Sequence, residues 1–257
     1  MRGRGGLKIR LLIGAGIILF SLFKYYSNRD TNPYTGKKQS IALTTEEEIA
    51  IGLKSAPQMA EQHGGLYPSQ KDQNIVDRVG NSLVNNSIAK ETPYQYDFHL
   101  LRDPNTINAF ALPGGQIFIT YALYSQLQNE DQLAGVLGHE IGHVVGRHSA
   151  ERIAKQGLTQ GIISGVLVGG GDGTGQMAAM IGNVINMKYG RGDELESDEL
   201  GVKFMLDAGY QPEEMMGVME ILKAAAGPNR TPEMQSTHPD PENRIEKIKE
   251  AIEKYRK

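Results

Sequence analysis

Residues 138–143 read GHEIGH, so two histidines, His139 and His143, lie four positions apart with Glu140 directly after the first. In a helix, the two imidazoles project from one face and can bind one zinc ion together. Glu140 adjoins them and can serve as a general base toward a water molecule. So short a motif also occurs by chance. The assignment of a metal site therefore depends on further ligands elsewhere in the chain.

A catalytic zinc ion takes three protein ligands and leaves one position open for water, so a third ligand is expected outside this helix. The chain contains no cysteine, which leaves histidine, glutamate and aspartate as candidates. Residues 191–198 read RGDELESD, and Glu194 and Asp198 share one face if this segment is helical. That face offers one carboxylate for the metal and a second, one turn later, that can accept the free ring N–H of a ligand histidine.

The range 105–120 contains two extended segments around the sequence PGG, which is typical of a hairpin turn. This hairpin precedes the helix with the two histidines. If one of its strands is exposed, it can bind an extended peptide as an added strand at the sheet edge. It can also be a core hairpin, and the two interpretations are compatible. The candidate substrate-binding residues are Asn108, Ala109, Phe110 and Ala111.

The spacing of apolar residues elsewhere predicts a mainly helical chain with few strands. A strand is expected at about 96–100. The glycine-rich range 157–175 is expected to be either a flexible loop near the site or a plain linker. Helices are predicted at about 45–64, 71–87, 121–128, 130–155, 176–209 and 212–225, with a last amphipathic helix after Asp240-Pro241. Gly190 to Gly192 can break the helix at 176–209.

Residues 1–29 indicate where the chain is located. Basic residues precede an apolar run from Leu11 to Phe23, which has the length of a signal-peptide core and is short for a full membrane span. No small-x-small cleavage site follows cleanly, so an uncleaved signal anchor is favoured over a cleaved signal peptide. The basic flank predicts that the remaining chain lies on the periplasmic or exterior side of the cytoplasmic membrane. Residues 30–43 are polar and predict a linker, which leaves 44–257 as one domain.

Five segments between residues 44 and 255 share the pattern of one protein family. They read NAFALPGG (108–115), LGHEIGH (137–143), ELESDELGV (194–202), AGYQP (208–212) and STHPDPENRI (236–245). In these segments the chain resembles the zinc metallopeptidases grouped with HtpX and the CAAX prenyl proteases, especially their soluble periplasmic bacterial branch. Ser197 stands where that family usually has alanine, which is a small change.

The resemblance implies an α+β fold, mainly helical, of the zincin (gluzincin) type, with a small antiparallel sheet and an active-site helix that carries HExxH. It also implies one Zn²⁺ per chain, bound by His139, His143 and Glu194. Glu140 is implied as the catalytic acid/base, and Asp198 as the partner of a ligand histidine.

Two more histidines are candidates for roles near the metal. His238, within residues 236–241, could donate a hydrogen bond to the oxyanion of a tetrahedral intermediate, or it could occupy the open zinc position until substrate arrives. A histidine at the start of a helix, with no metal contact, is the alternative. His148 lies about 140° around the helix from His143, so it is expected off the metal face and paired with a carboxylate.

These residues predict a zinc metalloendopeptidase that acts on envelope or membrane-associated, misfolded proteins. The alternative function is a chaperone-like envelope assembly factor with repressed protease activity. Expected partners are polypeptide substrates and, through the N-terminal segment, a membrane. The net charge of −3 indicates no nucleic-acid partner.

Overall fold

The periodic segments of the sequence form helices and short strands in a computed structural model that describes residues 4–170, 189–225, 233–238 and 243–256. The fold is mainly helical with small sheets, which confirms the predicted fold class. The first of two compact units comprises Met1–Thr44 and Ser149–Met187, and the second comprises Thr45–His148 and Lys188–Lys257.

The helices and strands are numbered here in chain order. They are α1 (Arg4–Ser27), β1 (Arg29–Thr31), β2 (Lys38–Ser40), α2 (Thr45–Gln62), α3 (Gln70–Asn85), β3 (Asp97–Leu101), β4 (Ala109–Ala111), β5 (Gln116–Thr120), α4 (Tyr121–Tyr124), α5 (Glu130–Val145), α6 (His148–Gly170), α7 (Arg191–Asp207), α8 (Glu214–Ala225), α9 (Glu233–Thr237) and α10 (Arg244–Tyr255).

Helix α1 of the first unit is longer than the apolar run predicted from the sequence. Its stretch Lys8–Ser27 has 20 residues and a mean hydropathy of 1.6, and only 6% of it is buried. Of the helices in the described ranges, it is the one that meets the length and composition of a membrane span. A signal sequence near the N-terminus meets the same criterion, so both predictions for this segment stay open.

The predicted linker at 30–43 contains structure. Strands β1 and β2 pair antiparallel, with Arg29 opposite Ser40. Asn32 is buried at the turn, where its side chain accepts hydrogen bonds from the backbone of Tyr34 and Thr35. This local bonding orders a segment whose polar composition alone suggested none.

The second unit contains a three-stranded sheet in the order β3-β5-β4. Strands β4 and β5 pair antiparallel around the predicted turn, so the hairpin is confirmed. The small sheet, which was expected to be antiparallel, is mixed, because β3 pairs with β5 in parallel. Strand β4 is at an edge of this sheet, as expected for the candidate substrate strand.

Helix α5 is buried on every side and packs closely against α7. Glycines permit this approach, because a Cβ atom at Gly142 would lie 2.9 Å from the carbonyl oxygen of Ser197. A Cβ atom at Gly138 would lie 3.4 Å from the Cα atom of Gly201. The contact therefore places the two predicted ligand helices next to each other.

The helix predicted at 130–155 is divided in two. The break lies at Gly146 and Arg147, and Arg147 adopts the left-handed conformation with φ 55°. Its guanidinium donates to the buried carboxylate of Glu48 at 3.0 Å, and the hydroxyl of Tyr94 donates to the same oxygen at 2.9 Å. These bonds hold a backbone conformation that is unfavourable for a residue with a side chain.

Two other boundaries differ from the predictions. Residues 157–170, expected to be a loop or linker, are the second half of α6, and 171–175 lie outside the described residues. The helix predicted at 176–209 begins at Arg191 in α7, and its residues 176–188 also lie outside the described ranges.

Helix α2 packs tightly on the hairpin turn, and a substitution at Gly52 can test this contact. A Cβ atom at Gly52 would lie 2.0 Å from the carbonyl oxygen of Pro113. We expect Gly52→Ala to lower the free energy of unfolding by about 1–3 kcal/mol, because the backbone of the turn must shift. The measurement is chemical denaturation of the full chain in detergent.

Gly192→Ala is the matched control, because a Cβ atom at Gly192 meets no atom within 4 Å. It should leave stability unchanged or raise it by up to about 1 kcal/mol. Equal effects of the two substitutions would show that the turn does not depend on this contact.

Candidate metal centre

Four buried side chains converge in the second unit. They are those of His139, His143, Glu194 and His238, and one possible ligand atom from each lies within 4.8 Å of the others. The structure therefore brings together the three predicted ligands and adds His238 to them.

Helix α5 supplies the first two of these side chains. Because four residues make slightly more than one turn, the Nε2 atoms of His139 and His143 lie 3.0 Å apart. Burial lowers the pKa of His143 well below its usual value. Burial also opposes the charged form of His139, but the neighbouring carboxylates of Asp198 and Glu194 raise its pKa to about 9. A metal ion that binds here must therefore displace a proton from His139.

Helix α7 supplies the carboxylate. The Oε2 atom of Glu194 lies 3.5 Å from Nε2 of His139, and Oε1 lies 3.5 Å from Nε2 of His143. Burial by itself would raise the pKa of Glu194, but the three surrounding histidines hold it well below its usual range. The carboxylate is thus ionised at neutral pH and is available as an anionic ligand.

Asp198 fixes the outer nitrogen of one ligand. Its Oδ1 atom lies 2.8 Å from Nδ1 of His139, on the side of the ring away from the cluster. Arg244 of α10, which the sequence did not identify, donates to both carboxylate oxygens of Asp198, at 2.6 and 2.8 Å. Burial opposes ionisation of Asp198, yet Arg244 and His139 lower its pKa overall. The ionised aspartate orients His139 so that Nε2 faces the other ligands.

Several polar atoms at the centre lack the hydrogen bonds that burial normally requires. Glu140 is fully buried, and neither of its carboxylate oxygens has a hydrogen-bond partner. The same is true of Oε2 of Glu194 and Nε2 of His238. Such atoms are costly in the absence of a cation or a bound water, so the residues present fit a metal ion.

His238 follows α9 and points into the cluster. Its Nδ1 atom lies 3.2 Å from Oε1 of Glu194 and 3.1 Å from Nε2 of His143. Its Nε2 atom is 3.7 Å from Oε1 of Glu140. Of the two predicted roles near the metal, this position resembles that of a ligand more than that of a donor to an external oxyanion.

The reverse side of His143 is also enclosed. The Nδ1 atom of His148 is 2.9 Å from Nδ1 of His143, and Nε2 of His148 is 3.1 Å from a carboxylate oxygen of Glu196. His148 therefore has the carboxylate partner that was predicted. Tyr189, which sequence reasoning missed, stacks on His143 with ring centroids 3.8 Å apart. Tyr189 belongs to none of the sequence motifs, so the sequence did not predict this contact.

Two remaining histidines lie outside this cluster and have partners that were not apparent from the sequence. The ring of His63 is 3.1 Å from a carboxylate oxygen of Asp103, and the ring of His99 is 2.9 Å from the amide oxygen of Gln116. Both have structural hydrogen bonds.

The candidate substrate strand packs against α5. Asn108, Ala109, Phe110 and Ala111 are all buried, and the amide oxygen Oδ1 of Asn108 has no hydrogen-bond partner. Among the described strands, β4 pairs with β5 alone, which leaves its other edge without a neighbouring strand.

Comparison of the sequence with known protein families identifies the family of this chain. The sequence model of peptidase family M48 matches residues 70–252, which is well over half of the chain. The chain belongs to peptidase family M48. The predicted resemblance to that group of metallopeptidases is therefore confirmed.

Individual proteins with similar sequences are also named as proteases. A beta-barrel assembly-enhancing protease of Yersinia pestis is 31% identical over 228 residues, which cover 84% of this chain and 46% of the relative. The protein of the same name in Escherichia coli (strain K12) is 28% identical over 235 residues, covering 86% and 47%. The mitochondrial metalloendopeptidase OMA1 of Schizosaccharomyces pombe is 28% identical over 244 residues, covering 93% and 69%. The chain spans about half the length of the bacterial relatives.

Support of the site by Arg244 can be tested through metal affinity. We expect Arg244→Lys to weaken metal binding by roughly 10- to 100-fold, because lysine lacks the planar guanidinium that donates to the two oxygens of Asp198 from two separate nitrogens. The measurement is competition with a chromophoric chelator at fixed pH.

Arg256→Lys is the matched control, because Arg256 caps the same helix and pairs with Glu213 at the surface. Exposed pairs contribute little, so the metal affinity of this variant should equal that of the wild type. If Arg244→Lys also matched the wild type, Asp198 would not depend on the guanidinium.

Proposed function

We propose that the chain is a zinc-dependent metalloendopeptidase with one Zn²⁺ ion per chain. The observation that carries this proposal is the convergence of His139, His143 and Glu194 beside a buried carboxylate, Glu140, that has no hydrogen-bond partner. Two histidines and a glutamate are a donor set that catalytic zinc uses in hydrolases.

In this proposal, Glu140 carries the proton transfers. A zinc ion held by His139, His143 and Glu194 would supply Lewis acidity toward a water molecule and toward the scissile carbonyl group. Glu140 accepts a proton from the attacking water and then delivers it to the leaving amine. Its buried carboxylate is suited to this because it makes no hydrogen bond that would have to be broken first.

The substrate is proposed to bind as an added strand on β4. A peptide in extended conformation can hydrogen bond with the free edge of this strand, as in other complexes that extend a sheet. Asn108 contributes an amide oxygen without a partner at the start of the strand. Because β4 packs against α5, a peptide on its edge would run along the helix that carries the general base.

The proposed substrates are envelope or membrane-associated proteins, including misfolded ones. Helix α1 supports this choice, since it has the length and composition of a membrane anchor. The bacterial relatives are named as proteases that enhance beta-barrel assembly. We propose that α1 anchors the chain to the cytoplasmic membrane with the rest of the chain facing the periplasm or exterior. A chaperone-like factor is not favoured as the main function, because a general base stands beside the complete ligand set.

Replacement of the proposed base separates catalysis from binding. Glu140→Gln should lower the cleavage rate of a fluorescently labelled, denatured protein by roughly 10²- to 10⁴-fold, because the amide cannot accept the proton. Bound zinc and helical content should stay unchanged. Glu199→Gln is the control, since this exposed carboxylate lies on α7 and bonds with Lys254. Cleavage that persists in purified Glu140→Gln would contradict the assigned role.

We propose further that His238 is a fourth ligand that restrains the enzyme until substrate arrives. Its Nδ1 atom lies within 3.3 Å of possible ligand atoms of His139, His143 and Glu194. A fourth protein ligand fills the position that a catalytic zinc site keeps for water. Movement of His238 away from the cluster would then be needed before Glu140 can act.

The variant His238→Gln should retain zinc less tightly and, at saturating zinc, cleave the labelled protein faster than the wild type. The reason is that the substituted side chain binds the ion weakly and leaves the fourth position open. His63→Gln, which alters a histidine outside the cluster, should change neither quantity. Slower cleavage with unchanged zinc affinity would instead assign His238 to the oxyanion, and no change in either quantity would remove both roles.

A further inference from the structure

Helices α1 and α6 of the first unit touch at a position where only glycine fits. A Cβ atom built on Gly161 would lie 1.9 Å from the hydroxyl oxygen of Ser21 and 2.5 Å from its Cβ atom. The backbone of α6 therefore lies directly against a side chain of the helix that has the composition of a membrane span. This kind of backbone approach is typical of helix pairs inside membranes.

The two helices run in opposite directions past this contact. Ser21 faces Gly161, and a cleft nearby is lined by Lys24 and Tyr25 of α1 together with Gly157 and Leu158 of α6. Higher residue numbers in α1 thus correspond to lower numbers in α6. The apolar run of α1, which precedes Lys24, lies alongside the part of α6 that follows residue 157.

The uncharged stretches of the two helices end at the same level. Lys24 is the first charged residue after the apolar run of α1, and Lys155 is the last charged residue of α6. The remaining range 157–170 contains no charged residue, although Ser164 in its middle is exposed. An uncharged helical segment beside an apolar, exposed helix indicates a common apolar surrounding.

Glycines in α6 recur at every fourth position, and so form one ridge along the helix. They are Gly157, Gly161, Gly165 and Gly169. The ridge contains the residue that touches Ser21, and helices in lipid associate through small residues at this spacing. Helix α1 also exposes large apolar side chains. Those of Leu12, Leu19, Phe20 and Phe23 are each at least 65% exposed.

We propose that residues 157–170 of α6 enter the lipid bilayer beside α1, with the acyl chains as their partner. The proposal rests on the proposed membrane anchoring by α1 and extends it to a second segment. Fourteen helical residues span about 21 Å, which is less than the roughly 30 Å of a hydrocarbon core, so the helix penetrates part of the bilayer. The charged first turns of α6, with Glu151 and Lys155, lie at the headgroups.

The absence of cysteine permits a direct test by single substitutions. The full chain carrying Ser164→Cys is reconstituted in vesicles of phosphatidylethanolamine and phosphatidylglycerol and treated with a maleimide that cannot cross membranes. Leu19→Cys reports on α1, and Lys90→Cys, at an exposed site of the second unit, gives the fully accessible signal. Ser164→Cys is expected to lose labelling to the same extent as Leu19→Cys and to regain it in detergent.

The outcomes distinguish failure of this proposal from failure of α1 anchoring. Labelling of Ser164→Cys at the level of Lys90→Cys, with Leu19→Cys protected, would overturn the insertion of α6 and leave the anchor intact. Labelling of both Leu19→Cys and Ser164→Cys would overturn the anchor and the insertion together.

A cross-link tests the helix pair in the same vesicles. The double variant Tyr25→Cys, Leu158→Cys is expected to be joined by a short bifunctional thiol reagent, because both side chains line the cleft between α1 and α6. The pair Gly16→Cys, Leu158→Cys is the control, since Gly16 has no atom near its missing Cβ. Equal cross-linking of the two pairs, or none in either, would contradict a packed α1–α6 pair in the bilayer.

Discussion

The close packing of α5 against α7 is the constraint on which the metal centre depends. Glycines at the crossing let the two helix backbones approach, and the approach brings Glu194 and Asp198 to opposite sides of the His139 ring. A bulkier residue at Gly142 would meet the carbonyl oxygen of Ser197 and separate the helices. The metal ligands then could not converge, whatever their spacing within each helix.

The same packing removes water from ionisable groups, so their charges must be compensated within the protein. Arg244 neutralises Asp198, and the three histidines surround Glu194. Both oxygens of Glu140 are buried without a hydrogen bond, and Nε2 of His238 lies 3.7 Å from one of them. A carboxylate left in this condition is unfavourable for stability and favourable for proton transfer, which agrees with its proposed role.

A second set of contacts surrounds the ligands without reaching the metal position. His148, held by Glu196, lies behind one imidazole, and Tyr189 covers its face. On the other imidazole, Asp198 and Arg244 perform the corresponding function. Each ligand ring is thus fixed from behind, which leaves its Nε2 atom directed toward the centre.

The sequence by itself determined which side chains share a face, because helix periodicity is local. It identified His139 and His143 on one helix and Glu194 and Asp198 on another, and it located the hairpin around PGG. It could not determine the parallel pairing of β3, the break at Arg147 or the continuation of α6 to Gly170. Those features depend on contacts such as the one between Arg147 and Glu48, which are 99 positions apart.

The positions of His238, Arg244 and Tyr189 were decided by the tertiary structure alone. The sequence named His238 as a candidate with two possible roles, and it gave no signal for the other two. Their distances to the ligands are set by tertiary packing such as that of α10 on α7, and no spacing along the chain records that packing. Local sequence therefore specified the ligand types and their faces, while burial of those faces against one another produced the site.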